Sequence, residues 1–500
     1  MNLKDVNVTE VVEQIRAQLK EDKHVTPALR ASIELILVVV VMLAERFGLN
    51  SQNSSIPPSK DPNRAKTSKS SSQKSPGGQK GHLGSTLEQT DSPDEVKVLK
   101  VDRRRLPKGQ YKEIGYQKRQ VFDIDITRTV VEYQAQILED EQGQRFVAEF
   151  PEGVTSSVQY GPGVKAHAVY LSQYQLLPYQ RIEEYFSQQL GLPVSAGSLF
   201  NFNQQAAQQI QTLGAEAVIK QSLRSSSVLH VDETGINIDG KRHWLHSAST
   251  DQWTYFSSHR KRGQEAMDAA DILPDFKGVL CHDHWKPYYQ YKSCQHALCN
   301  AHHLRELERS WEQDGQAWAK SLQDLLKEMN KATLEQDGLI PPEVRLSYIK
   351  RYRAILEAGD EESPPPDESQ RKEGQRGRLK RSKSRALLER LRAYEDDVLR
   401  FLSVPEVPFT NNQGENDIRM TKVHQKISGC FRSHQGAEQF CLIRSYLSSC
   451  RKQSVSASDA LTLLFCGQLP DIFGQAAEIV TKKVKVIPLG VDIYIMRPIN

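Results

Sequence analysis

No cysteine occurs before residue 281, and the whole chain of 500 residues has only seven. So few thiols, all late in the chain, build no disulfide framework, and a reducing, cytoplasmic compartment is the plain expectation. Long apolar runs are also missing. The most apolar stretch, Ile33 to Leu43, is interrupted by Glu34 and reads as too short to span a bilayer. Nothing reads as a signal peptide. A large excess of one charge sign is missing as well: 66 Lys and Arg against 62 Asp and Glu leave a net charge of +4. Overall charge therefore does not argue for nucleic acid, and any basic surface must be local. Hydrophobic content of 38% with 26% charged residues is ordinary for a globular chain. The length implies about two to four domains.

What is present is concentrated between Ser226 and Trp285. Val228 to Val231 is a β-branched run ending in Asp232–Glu233–Thr234. Gly235 and Asp239–Gly240 read as turn punctuation, followed by the runs His243 to Ala248 and Trp253 to Ser257. These are three strands joined by tight turns. Gly263 to Leu273 has helical spacing, with Ala266, Met267, Ala270 and Leu273 on one face. Gly278 to Cys281 is a buried-type strand that ends in His282–Asp283–His284–Trp285. The layout predicts Asp232 and Asp283 at the tips of strands in one sheet. Far downstream, Thr410 or Asn411 caps a helix whose first turns carry Glu415. Asp232 alone reads as a turn residue and Asp283 alone as a helix cap; Glu415 is what makes them a site. Three carboxylates from two strands and one helix suit two Mg²⁺ ions, with Mn²⁺ able to substitute. Such a pair serves phosphodiester chemistry, activating one oxygen and stabilising another. Glu233 and Asp239 are weaker candidates, as turn or supporting groups. His230, His282 and His284 flank the acids; Mg²⁺ prefers oxygen, so they read as supporting or phosphate-contacting groups.

The stretches VLHVDETG, GKRHWLHSAST, ILPDFKGVLCHDHWKPY, HALCNAHHLREL and VPFTNNQGENDIRMTKVHQKISGCFRS carry a resemblance. From about Ser51 to Ala460 the chain resembles the insertion sequence 66 family of bacterial transposases. The resemblance implies an α/β protein with a ribonuclease H-like catalytic core interrupted by a helical insertion. It implies DDE chemistry, with Asp232, Asp283 and Glu415 as catalytic metal ligands. The expected reaction is DNA cleavage at element ends and strand transfer into target DNA. The expected partners are element ends, target DNA, a second copy or more in a synaptic complex, and element-encoded accessory proteins, at the nucleoid. A basic residue near Lys422 would touch the DNA end. Two departures stand out. Many family members carry zinc-binding cysteine pairs in the region of residues 86–155; here Arg103 to Pro107 stands where the first pair would fall, so no zinc is expected. The family usually has Ala-Glu-Arg at the third acid, and this chain has Gly414–Glu415–Asn416. A helical Gly costs about 1 kcal/mol against Ala.

The remaining segments follow in order. Residues 1–50 read as helices, with Val8, Val11, Val12, Ile15 and Leu19 in a stripe, a break at His24 to Pro27, and a second helix to Phe47. A helical hairpin or a short oligomerising coil fits. Residues 51–85 are a Ser-, Pro- and Lys-rich linker, either a phosphate-contacting arm or a solvated tether. Residues 86–155 read as a small β-rich domain, with strands at Val96–Val101, Gln120–Ile124, Thr129–Ile137 and Arg145–Phe150. Residues 160–215 are helical, with a Gly191 turn and Ser195 as an N-cap, in a helix-turn-helix pattern. Ser198 and Asn201 would then face base edges, unless the helices serve packing alone. The catalytic core is expected at 225–312 and 408–455, around a helical insertion at 313–407. Within the insertion, the basic run Arg371 to Arg385 offers Lys380, Arg381 and Lys383 to phosphates. Arg305, Arg419, Lys422 and Lys426, with Arg432 and Arg444, extend a positive surface. Cys299 and His302 form a C-x-x-H pair that reads as shaping its helix; zinc ligation with Cys281 or Cys294 is the lesser alternative. Residues 456–500 are a C-terminal region in which Val484 to Met496 reads as a strand or hairpin. Two rival functions stay open: an inactive or domesticated DNA-binding copy, and a structure-selective nuclease.

Overall fold

The computed structural model describes residues 2–474 other than 4–5, 23, 48, 55–60, 62, 64–86, 337, 339, 368, 370, 372–376 and 378. Most of the basic linker and the Val484 to Met496 segment lie outside the described residues. A short antiparallel pair, β1 (Asn2–Leu3) and β2 (Val6–Asn7), leads into α1 (Val8–Glu21) and α2 (Pro27–Phe47). Val12, Leu19 and Leu37 interlock between the two helices, and Arg16 bridges to Glu34 at 3.3 Å. The helical hairpin expected from the stripe forms. The apolar helix is longer than the run Ile33 to Leu43, because it begins six residues before Ile33. Pro27–Ala44 is long and apolar enough to cross a membrane by length and composition, which corrects the expectation of a stretch too short to do so.

Residues 87–156 depart most from expectation. Only two three-residue strands form, β3 (Ile137–Glu139) and β4 (Arg145–Val147), paired across a turn. Val96–Val101 and Gln120–Ile124 form no strand. Leu99, Ile114 and Val121 are 88%, 96% and 91% exposed. The physical reason is the missing second layer. β-branched residues favour a sheet because a neighbouring surface buries them, and no element among the described residues covers this stretch.

From Pro162 the chain packs densely. α3 (Pro162–Val169), α4 (Tyr179–Leu190), α5 (Ala196–Thr212) and α6 (Ala215–Arg224) precede the sheet. The expected punctuation is there: Gly191 ends α4, and the Ser195 hydroxyl accepts the Ser198 N–H at the start of α5. The sheet has five strands: β5 (Val228–Ile238), β6 (Lys241–Ser249), β7 (Thr254–His259), β8 (Val279–His282) and β9 (Gln295–Leu298). α7 (Gln264–Ala269) joins β7 to β8. The strand order is β7-β6-β5-β8-β9. β5, β6 and β7 are antiparallel, and β8 and β9 run parallel to β5. Asp239–Gly240, both at positive φ, makes the two-residue turn between β5 and β6. Gly235 is not a turn. It lies inside β5 opposite Trp244, and the Arg242 side chain crosses directly over it where a Cβ would otherwise sit.

Both faces of the sheet are covered. Leu229, Val231 and Leu280 join the helices α3 to α6 in one core, together with α14 (His434–Lys452) and α15 (Ala457–Phe465). On the other face Val279, Cys281, Ala297 and Leu298 meet α8 (Asn300–Asp314) and the insertion helices α9 (Ala317–Glu335), α10 (Pro342–Glu362), α11 (Lys383–Ala393) and α12 (Glu395–Val398). Ile236 and Ile238 pack on Ile418 of α13 (Asn412–Ser428). The edge strand β7 is closed by α14: Thr254 N–H donates to Ser449 Oγ at 3.1 Å and Phe256 N–H to Ser445 Oγ at 2.8 Å. A covered edge offers no template for pairing with another chain.

Candidate active site

The parallel pairing of β5 and β8 sets the site. His230 lies opposite Cys281, and the same offset carries Asp232 level with Asp283. Asp283 follows the last residue of β8, as expected of a strand tip. Its Oδ1 accepts the Trp285 N–H at 3.0 Å, while His284, at φ +73°, turns the chain away. Asp232 is not at a tip. β5 runs on to Ile238, and Asp232 pairs with Ser247 of β6 in mid-strand.

Alternation along β5 separates Asp232 from its neighbour. Glu233 points to the opposite face, and its side chain is only 2% exposed. Tyr288 donates its hydroxyl to Glu233 Oε2 at 2.5 Å, and Arg262 Nε donates to Oε1 at 2.9 Å. The Arg262 guanidinium lies over the rings of Trp244 and Trp285, at 4.7 and 4.3 Å from their centroids. Burial raises the Glu233 carboxyl, while its bonds to Tyr288 and Arg262 oppose that shift. Glu233 is thus a bonded part of the scaffold rather than a turn residue.

α13 delivers the third acid. Asn411 stands at its N-cap position, yet its side chain does not cap the helix. Instead Nδ2 donates to Val231 O at 2.9 Å, and Oδ1 lies 2.7 Å from His230 Nδ1. The Asn411 N–H donates to Cys299 Sγ at 3.1 Å, and Asn300 N–H to Phe409 O at 3.1 Å. The helix start is therefore tied both to β5 and to the start of α8. A Cβ on Gly414 would come within 3.1–3.4 Å of the Asn411 amide, so glycine fits this tie and offsets part of its helical cost.

Glu415 then lies near enough for its charge to act on Asp232. Burial, with Glu233, Asp283 and Glu415 nearby, pushes the Asp232 carboxyl up to about 7. No lysine or arginine among the described residues pairs with Asp232, Asp283 or Glu415. An uncompensated group of carboxylates fits a hard divalent cation. The tightest cluster, however, is a different one. Cys299 Sγ, the His302 imidazole and a Glu415 oxygen lie within 4.8 Å of one another, a spacing the three acids do not reach. His302 Nδ1 and Glu415 Oε1 are 4.0 Å apart, both buried and both without a hydrogen-bond partner. The side chain that clusters with the C-x-x-H pair is Glu415, rather than Cys281 or Cys294.

The other expected residues divide. Arg419 and Lys426 are exposed on α13. Lys422 Nζ donates to Gly235 O at 2.9 Å, bridging helix and sheet. Arg305 is half-buried one turn beyond His302 and depresses that imidazole, second to burial. Arg444 is corrected: it is buried on α14 against the Tyr174 ring, where burial lowers its guanidinium to about 10. In the basic run, Arg381 pairs with Glu389, and Arg385 is buried against Asp360 and Glu389. Lys380 and Lys383 are exposed. Asn201 is exposed on α5, whereas the Ser198 hydroxyl lies 3.1 Å from that of Ser195. His282 is fully buried and bonded to His296 at 3.1 Å, which removes it from phosphate contact. His284 packs edge-on to Tyr289 and Tyr394. Asn411, Arg262 and Tyr288 escape a reading of the site from sequence. Only Asn411 leaves a signal, as one of two residues suited to the cap before Glu415.

Such a site, with acids on two strands of a mixed sheet and a third on a helix from far along the chain, defines a class of carboxylate-centred proteins. The family is specific: a model of the Transposase IS66 family matches residues 157–439, more than half of the chain, and the chain belongs to that family. The matched span contains all three acids and begins just after the exposed 87–156 stretch. Residues 3–88 match a separate family of unknown function, DUF6444. No curated protein matches the chain.

Proposed function

We propose that the chain is a DDE transposase of a bacterial insertion sequence, which cleaves DNA at element ends and joins them to target DNA. The observation that carries the reading is that the β5–β8 register brings Asp232 level with Asp283, with the charges of Asp283 and Glu415 both acting on Asp232, and that no lysine or arginine among the described residues pairs with any of the three. The strand order, three antiparallel strands followed by two parallel ones, supports a ribonuclease H-like core. Asp232, Asp283 and Glu415 are the residues that would hold two Mg²⁺ ions. Bound there, the ions supply activation of an attacking oxygen and charge neutralisation at the phosphate.

The chain's own residues do the positioning. The Glu233–Arg262–Tyr288 cluster fixes β5 from behind, so that Asp232 keeps its face. Asn411 fixes the start of α13 and with it Glu415. Arg419 and Lys426, with Lys422 and Arg305, offer positive charge along α13 and α8 to a DNA backbone. Lys380 and Lys383 add to this from the insertion, and Asn201 on α5 is the residue of the helix-turn-helix pattern best exposed to read bases. Pairing of two element ends implies at least a dimer. The test is cleavage of a labelled element end by the full chain with Mg²⁺. Asp232→Asn and Glu415→Gln should bind the end without cutting it. Cleavage retained by both variants overturns the proposal, and end binding without cleavage by the unaltered chain favours the inactive-copy reading.

A further inference from the structure

We propose that Cys299, His302 and Glu415 form a second metal site, for Zn²⁺ and similar borderline-soft divalent ions, which competes with the acid trio for Glu415. The three ligand atoms already lie within 4.8 Å of one another. Zinc binds sulfur at about 2.3 Å and nitrogen or carboxylate oxygen at about 2.0–2.2 Å. A single ion at those lengths spans two ligand atoms roughly 3.3–4 Å apart. His302 Nδ1 and Glu415 Oε1 are 4.0 Å apart, too far for a hydrogen bond and within reach of one shared ion.

The two atoms carry a second, independent signal. Each atom is shut off from solvent, although the His302 and Glu415 side chains are partly exposed, and neither atom has a hydrogen-bond partner. Unpaired buried polar atoms are costly, and here two face the same point. Their positions are built in by the fold. Cys299 immediately precedes α8 and His302 lies in its first turn, while Glu415 lies in the first turn of α13. The two helix starts are joined by Asn411 N–H to Cys299 Sγ and by Asn300 N–H to Phe409 O.

Ligand chemistry separates this site from the acid trio. Thiolate and imidazole favour zinc over magnesium, whereas an all-carboxylate set favours magnesium. Three protein ligands leave a fourth position to water, as in open zinc sites. Glu415 is common to both groups, so the ion held by Cys299 and His302 withdraws it from Asp232 and Asp283. This last step rests on the transposase reading; the site itself does not.

The test begins with metal alone. Co²⁺ is titrated into the full chain carrying Cys430→Ser and Cys466→Ser, which removes the two exposed thiols. A thiolate-to-cobalt charge-transfer band should saturate at one ion per chain, vanish on adding Zn²⁺ and persist in excess Mg²⁺. Cys299→Ser should abolish it. His302→Ala, at a partly exposed position that tolerates truncation, should weaken cobalt affinity on the order of 10–100-fold or more. Absence of the band, or a band unchanged in both variants, overturns the site. A second arm measures Mg²⁺-dependent DNA cleavage with added Zn²⁺. Zinc should inhibit the parent and not His302→Ala, each relative to its own zinc-free rate. Cleavage indifferent to zinc overturns the competition. A cobalt band in a chain that never cleaves overturns the transposase reading and leaves the metal site standing.

Discussion

The two sides of β5 make an instructive pair. Asp232 and Glu233 are adjacent, alike in charge and both shielded from water, yet the pleat sends them to opposite faces. Behind the strand, Glu233 is met by a guanidinium and a phenol, and its oxygens are taken. In front, no base meets Asp232 among the described residues, and burial first, then the charges of Glu233, Asp283 and Glu415, raises its carboxyl to about 7. Burial is therefore a poor guide to function. What distinguishes the two is whether the surroundings complete the charge or leave it open.

The largest expected effect breaks the pair apart by activity. Asp232→Asn should lower Mg²⁺-dependent cleavage by at least on the order of 10³-fold, the scale of losing a group that acts on transition-state charge. Glu233→Gln should retain measurable cleavage in the same assay. Equal losses in the two would erase the distinction.

The second effect is on stability and pH. The folded Asp232 carboxyl holds its proton up to about 7, well above its ordinary range, so the metal-free fold binds that proton more tightly than the unfolded chain does. Its contribution is full at low pH and is lost as pH rises through the ordinary carboxylate range to about 7. A loss of a few kcal/mol should appear as a falling urea midpoint between about pH 4 and pH 7 without metal. Mg²⁺ should restore the midpoint at the upper end. In Asp232→Asn both the slope and the rescue should be much reduced.

A smaller change sharpens the other side. Glu233→Gln leaves Arg262 without its charged partner and should cost about 1–3 kcal/mol in urea unfolding, the lower end being favoured because Arg262 is partly exposed. Smallest of all, Tyr288→Phe removes one hydrogen bond to Glu233 and should cost about 1 kcal/mol, with the Mg²⁺ response unchanged.

Much of this arrangement is legible in local pattern. The Asp239–Gly240 turn, the Ser195 cap, the strands around Asp232 and Asp283, and the helix bearing Glu415 all follow from short-range chemistry. The failures share one cause, which is distance along the chain. Gly235 resembles a turn residue because the Arg242 side chain that crosses it comes from the next strand. The clamp on Glu233 is invisible in sequence because Arg262 and Tyr288 lie 29 and 55 residues further on. Arg444 and Arg385 resemble surface charges because their burial depends on Tyr174 and Asp360. Residues 87–156 fail in the opposite sense. Their composition suits a sheet, and nothing among the described residues supplies the layer that would make one.

The hydrogen bonds that join Cys299 to Asn411 and Asn300 to Phe409 have a further meaning. The long excursion between the second and third acids departs and comes back through a single doorway, its two posts fastened to each other. Residues could be gained or shed between α10 and α11 at a chain-closure cost of only about 0.6 kcal/mol per doubling of loop length. The spacing of the acids along the sequence is then free to drift, while their spacing in three dimensions is kept.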